Sequence, residues 1–280
     1  MATRLTILVD NRAPAQSDLV AESGLAVHLQ AGDCSLLFDT GASASTLGAN
    51  AVHLGIDLKS LDAIVLSHGH YDHAGGLAWA LATATEARLF LHPDVLSDRY
   101  VCRGARPARA IGMPAACRQA IQQARGRIVW TTEPTKVAGE FHVTGVIPRR
   151  FQPGTGVSAF FLDTAGHKPD PFRDDQALWF TPGSASGPVV ILGCAHAGLT
   201  NTLHHVAQIS GSKCIHAVIG GMHLHDASTS DLESALAALR MYAAQMVAPC
   251  HCSGPAAEDF LARALGSRCR PCQTGDVLTF

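Results

Sequence analysis

The segment Ser67-His68-Gly69-His70-Tyr71-Asp72-His73-Ala74-Gly75-Gly76 places three imidazoles and one carboxylate within six residues. Both groups are donors to divalent metal ions. His68 and His70, two apart in an extended loop, can face one point. Asp72 and His73, on the following turn, can face a second. Such a segment can serve two cations a few ångströms apart, as in two-metal hydrolytic sites. Gly75 and Gly76 are expected to let the chain turn sharply into a helix. Three more histidines follow short apolar runs, in Gly193-Cys194-Ala195-His196, Gly220-Gly221-Met222-His223 and Pro249-Cys250-His251-Cys252.

The elements that must carry these residues read as strands and helices in alternation. Leu5–Asp10, Leu25–Gln30 and Ser35–Asp39 have strand patterning, and Asp39-Thr40-Gly41 ends the third. Ser43–His53 reads as helix, Ala63–Leu66 as a buried strand, Ser67–Gly76 as a polar loop, Leu77–Ala84 as helix and Arg88–Leu91 as strand. Asp94–Arg127 carries seven arginines and only two acids, Asp94 and Asp98, and is read as an insertion over one face, with a helix at Ala115–Ala124. Arg127–Thr132 and Glu140–Val146 return to strand patterning. Pro148–Asp175 reads as a long loop of the kind that is often functional. Strands at Ala177–Phe180, Pro188–Leu192, Ile215–Ile219, Val247–Ala248 and Val277–Phe280 follow. Helices are expected from Leu199 to Ile209, after a Ser230/Glu233 capping box, and at Ala256–Leu265.

Composition bounds the rest. The chain has 280 residues, 47% of them hydrophobic, which excludes a disordered chain. Charged residues make up 16%, and the net charge is -2, so no electrostatic footprint for nucleic acid or an anionic membrane is visible. No apolar run approaches the roughly 18 residues that span a bilayer. Met1–Asp10 reads as a first strand rather than a signal peptide. Nine scattered cysteines do not form a secreted disulfide framework, and a cytoplasmic protein with reduced thiols is expected. Cys250, Cys252, Cys269 and Cys272 have ligand-like spacing, but ordinary buried thiols are the favoured reading.

The pattern His68-x-His70-x-Asp72-His73-x-Gly75-Gly76 resembles the signature of the metallo-β-lactamase superfamily, which also has an Asp-Thr-Gly after an early strand. The resemblance runs from about Leu25 to Cys252. It implies an α/β fold, a four-layer αββα sandwich with two mixed sheets between helices, formed by residues 1–280 as one domain with the Arg-rich insertion at about 94–127. Gly145-Val146-Ile147-Pro148-Arg149, Asp174-Asp175-Gln176-Ala177-Leu178 and the three later His-containing segments resemble a subgroup. Its members carry the label dihydropterin ribofuranosylaminobenzene-phosphate synthase, of methanopterin biosynthesis, or simply metal-dependent hydrolase.

Carried over by position, the resemblance implies that His68, His70 and His196 hold one metal and Asp72, His73 and His251 a second. Two Zn2+ ions are expected, with iron or manganese also compatible with His/Asp ligation. The bridging Asp of many members is missing at Gly193-Cys194. His196 is the favoured nearby ligand, and Cys194 is the alternative. His223 is read as a ligand, a general acid or a substrate contact. Asp39 is expected to orient a ligand histidine. Arg149 and Tyr71 are the expected substrate contacts. Arg150, Lys168 and Arg173 in the loop, and Arg103, Arg106 and Arg109 in the insertion, would suit an anionic substrate if they face the cleft.

The implied activity is metal-dependent hydrolysis by a metal-activated hydroxide, with Asp72 and His223 as catalytic groups. The substrate would be a small phosphoester, ester or lactone. Two alternatives are a pterin-pathway synthase on the same site and a non-catalytic, ligand-binding sensor.

Overall fold

The computed structural model describes residues 2–104, 106–151, 159–183 and 185–280. Residues 152–158 of the expected long loop therefore lie outside the described residues, as does Met1 of the expected first strand.

Two sheets stack face to face. The first has seven strands: β1 (Thr3–Val9), β2 (Ala26–Ala31), β3 (Cys34–Phe38), β4 (Ala63–Val65), β5 (Arg88–Leu91), β8 (Ile128–Trp130) and β16 (Val277–Thr279). They lie in the order β16-β1-β2-β3-β4-β5-β8. Pairing is antiparallel from β16 to β3 and parallel from β3 to β8. The second sheet orders β15 (Met246–Pro249), β14 (Ala217–Gly220), β13 (Val189–Leu192), β12 (Leu178–Phe180), β10 (Phe141–Val143) and β9 (Thr135–Ala138). Its β13, β14 and β15 run parallel. A small third sheet joins β11 (Phe160–Phe161), β6 (Tyr100–Val101) and β7 (Arg109–Ala110).

The two-residue period of a strand explains the layers. Leu36 and Phe38 of β3, and Ile191 of β13, enter one core between the sheets, together with Leu5, Val65 and Ile219. The alternate residues Leu37 and Ile64 face outward onto α1 (Ala44–His53), α3 (Leu77–Thr83) and α4 (Ala115–Gln123), through Leu47, Leu81 and Ile121. Val190 and Val218 face α5 (Leu199–Ser210), α6 (Thr229–Met241) and α7 (Pro255–Leu265), through Leu203, Leu239 and Leu261. Both faces of each central strand are covered, so these strands read as continuous apolar runs. The result is the αββα sandwich.

Several local readings change. The His-rich segment contains a one-turn helix, α2 (Tyr71–Ala74). Gly75 is right-handed, with φ of -69°. It is glycine because a Cβ there would run into the Ala42 carbonyl oxygen, not because the turn needs a left-handed residue. The capping box of α6 is Ser228 and Asp231, not Ser230 and Glu233. Both pairs spell the same pattern, and the helix starts at the earlier one. Strand β9 carries one buried residue, Val137, too weak an alternation to read from sequence. The 94–127 segment divides: β6 and β7 build the third sheet, while α4 joins the outer helical layer and packs on α3.

Candidate metal centre

The chemistry-bearing residues meet at the ends of strands β1, β3, β4, β13, β14 and β15. After β4, His68 and His70 bring their Nε2 and Nδ1 atoms to 3.0 Å. His196, after β13, stands with its ring centroid 4.8 Å from His68 and 4.9 Å from His70. His73 lies on α2, with Nε2 3.1 Å from His251 Nε2 and 3.1 Å from Cys194 Sγ. Asp72 Oδ2 is 3.9 Å from His251 Nε2. The donor atoms of His68, Cys194 and His196 lie within 4.8 Å of one another, and so do those of His73, Cys194 and His251.

Hydrogen bonds on the far side of the rings set their orientation. Asp39 Oδ2 accepts from His73 Nδ1 at 2.7 Å and from Ser67 Oγ at 2.6 Å, and Asp39 Oδ1 accepts from Ser67 N at 2.7 Å. Ser67 Oγ also meets His68 Nδ1 at 2.9 Å. Asn11 Oδ1 meets His251 Nδ1 at 2.9 Å, and the His251 N–H donates to Asp10 Oδ1 at 2.7 Å. Such outer partners fix the tautomer of a ligand histidine and leave its other nitrogen for the cation.

The donor set fits a metal. His196 is 1% exposed, yet neither ring nitrogen has a hydrogen-bond partner. Nitrogens on one zinc, each about 2.0–2.1 Å from it, lie about 3.0–3.4 Å apart, which is the spacing of the His68–His70 and His73–His251 pairs.

Electrostatics agree. Burial, reinforced by neighbouring imidazoles and Arg99, pushes His68, His70 and His196 well below the ordinary histidine range. These rings are therefore neutral donors. His73 differs. Burial opposes charge there, but the Asp39 carboxylate outweighs it and lifts His73 to about 9. The Asp39 charge thus favours a cation at that end of the cluster. Burial pushes Asp175 up to about 7.

A second ring of groups holds the loops. Arg99, 2% exposed, pairs with Asp170 and Asp174, both at 2.6 Å. Asp174 Oδ2 also accepts from Gly69 N at 2.8 Å, between His68 and His70. Asp175 Oδ2 accepts from Ala197 N at 2.7 Å, beside His196. Gln176 Nε2 donates to Leu66 O at 2.8 Å. The Asp174-Asp175-Gln176 run, noticed in the sequence without a role, therefore braces two ligand loops. Asp10, Asn11, Ser67 and Arg99 had no sequence signal beyond their places near strand ends or in the Arg-rich segment.

Backbone strain gathers here. Among the described residues, six non-glycine positions have left-handed backbone, and Asp39, Phe172, Ala195, His223 and His251 are five of them, with φ of 46–59°. Such conformations cost about 1–3 kcal/mol each and cluster at functional sites.

Part of the cluster lines a cavity of about 720 Å³, with His70, Tyr71, Asp72, Cys194, His196, His223 and His251 among its lining residues. Arg103, Arg106 and Arg109 line it from the third sheet. Arg103 pairs with Asp226 across the opening at 3.5 Å. Arg149 does not line the cavity. Its guanidinium donates to the His196 carbonyl at 3.4 Å, so it touches the ligand loop from behind. Arg150, Lys168 and Arg173 are not cavity residues either.

The stacked sheets with histidines at their strand ends form a metallo-β-lactamase fold, which implies the use of divalent metal. The chain belongs to the metallo-β-lactamase superfamily, whose model matches residues 20–176. It is 26% identical over 252 residues to the 7,8-dihydropterin-6-methyl-4-(beta-D-ribofuranosyl)-aminobenzene-5'-phosphate synthase of Methanocaldococcus jannaschii, covering 88% of this chain and 84% of that protein. Its structure is similar to that of Tm1679, a metal-dependent hydrolase of the beta-lactamase superfamily, with a TM-score of 0.82, 29% identity and coverage of 99% and 98%. The metallo-beta-lactamase fold protein YhfI of Bacillus subtilis shares the fold, with a TM-score of 0.56, 17% identity and coverage of 100% and 99%. Among the described residues, no helix is long and apolar enough to cross a membrane.

Proposed function

We propose that this protein is a metal-dependent hydrolase of a small anionic phosphoester, ester or lactone. The observation that carries the reading is the buried, unpartnered imidazole of His196 facing His68 and His70. Burying polar atoms without partners is costly, and a cation would supply the partner of one of the two His196 ring nitrogens. His68, His70 and His196 would hold one ion, and Asp72, His73 and His251 a second. Zinc is the first expectation, and iron or manganese also suits these donors. When bound, such ions supply Lewis acidity and an ionised water nucleophile.

The chain's own groups do the rest. Asp72 orients the attacking water. His223, on the cavity wall, delivers a proton to the leaving group. Arg103, Arg106 and Arg109 bind the anionic part of the substrate. This assignment replaces Arg149, whose guanidinium is engaged behind His196. Tyr71 contacts the substrate body.

A second reading is favoured by the similarity to the methanopterin-pathway synthase. On that reading the same site would serve a pterin-pathway synthase in place of a hydrolase.

Elemental analysis of protein purified without added metal, with a panel of phosphodiesters, phosphomonoesters and lactones, tests the first reading. A reaction with a pterin and a phosphoribosyl donor tests the second. His70→Ala should lose bound metal and turnover together. Metal content and turnover both unchanged in that variant would overturn the site.

A further inference from the structure

We propose that the Cys194 thiolate is itself a metal ligand, shared by the two positions and standing where a bridging carboxylate would otherwise be. The inference rests on the metal-centre reading above and adds a donor to it.

Cys194 Sγ belongs both to the group with His68 and His196 and to the group with His73 and His251, with all donor atoms of each group within 4.8 Å. No other donor is common to these two groups among the described residues. It therefore sits between the two sets of histidines. Its sulfur is 3.1 Å from His73 Nε2. A nitrogen at about 2.05 Å and a sulfur at about 2.3 Å on one zinc lie about 3.1–3.6 Å apart, over ordinary coordination angles.

An ordinary core thiol would look different. Cys250 and Cys272 are part of the apolar core between the sheets, and Cys117 is part of the core under α3 and α4. Cys194 is equally buried but belongs to none of the three apolar clusters. Its sulfur lies against His73 instead.

The chain is built to bring it there. Gly193 lets the end of β13 press onto the His68 loop, because a Cβ at that position would collide with Ser67 Oγ. The left-handed turn at Ala195, with φ of 53°, lets Cys194 and His196 serve the same cluster.

The chemistry balances simply. The thiol proton is released to solvent as metal enters, and no electron is transferred. A thiolate between two dications supplies the negative charge that the missing Asp would have supplied. It also makes the centre softer, favouring zinc or iron over manganese.

The test is cobalt substitution of the metal-stripped full-length protein, read by absorption, with zinc-edge X-ray absorption on the zinc form. The proposal expects a sulfur-to-cobalt charge-transfer band in the near ultraviolet and a sulfur shell at about 2.3 Å from zinc. C194D should retain bound metal and lose both signals. C252S should keep both, which separates Cys194 from Cys252, whose sulfur lies within 4.8 Å of Cys194 Sγ in a third group with His223. Should C194D fail to fold, the sulfur shell of the C252S protein carries the same test. Visible cobalt bands without the charge-transfer band in the unmodified protein would overturn the thiolate ligand and leave the imidazole centre standing. Loss of both signals in C252S would also overturn it. No bound cobalt at all would overturn both readings.

Discussion

Replacing Asp39 by Asn removes one charge and almost no volume, so it isolates the carboxylate's task. Asp39 accepts three hydrogen bonds, from Ser67 N, Ser67 Oγ and His73 Nδ1. An amide offers only one acceptor atom. If its oxygen takes the place of Oδ2, its NH2 faces the Ser67 N–H, donor against donor, at a cost of about 1–3 kcal/mol. If its oxygen takes the place of Oδ1, its NH2 faces His73 Nδ1. That ring must then carry its proton on Nε2, the atom 3.1 Å from both Cys194 and His251. A protonated Nε2 cannot bind metal. Loss of one such outer partner costs about 10–100-fold in metal affinity, or about 1.4–2.7 kcal/mol. Asp39 orients His73 directly and His68 through Ser67, so D39N is expected near the upper end. S67A breaks only the relay to His68 and is expected near tenfold. Zinc titration of the stripped proteins against a chromophoric chelator reads both values, with thermal unfolding as a check on folding. A folded D39N protein with affinity within threefold of the unmodified chain would show that the Asp39 carboxylate does not set the tautomer of His73.

Two further outcomes follow from buried charge away from the ligands themselves. His28, bonded to Ser35 Oγ at 2.9 Å, is held at about 4 by burial and then by Arg4. Its folded value lies below its unfolded value, so its contribution is whole above about 6.5 and is lost as the pH falls toward 4, worth up to about 3 kcal/mol. Urea unfolding of H28Q should therefore show a shallower acid loss than the unmodified chain between pH 7 and 4, and identical slopes would contradict this. R99M leaves Asp170 and Asp174 buried without their cation. It should cost about 3–5 kcal/mol in urea unfolding, and a loss under 1 kcal/mol would show that the pair is replaceable.

The fold was legible because burial on both faces turns the central strands into short apolar runs, and because the histidines of the cluster follow such runs. The superfamily pattern of His68, His70, Asp72 and His73 added the layer order. Asp39 was legible for the same reason, as a carboxylate closing a strand. What supports the ligands was not. Asp10 and Asn11 meet His251 some 240 positions along the chain, and Asp174 meets Gly69 across 105. Contacts of that range leave no local periodicity. Helix α2 was hidden because its single turn is held largely from outside. Thr40 N donates to His73 O at 2.7 Å and Tyr71 N to Ile111 O at 3.0 Å. Which arginines face the cleft was equally hidden. Arg149 and Arg103 look alike in sequence, and only the pairing of β6 with β7 and β11 brings the second to the cavity.

The left-handed residues connect these observations. Asp39, Ala195, His223 and His251 each follow a strand that ends at the cluster, and each is forced to turn at once rather than run on past the sheet. A right-handed or extended residue at these points would carry the side chain away along the strand. The cost, about 1–3 kcal/mol apiece, is small beside the apolar burial in the three cores that hold the strands in place. Hydrogen bonds to Asp39, Ser67 and Asn11 then set the rings of His73, His68 and His251, and Asp10 accepts from the His251 backbone N–H. The donors are therefore gathered where packed strands end and where hydrogen bonds of the chain hold the rings.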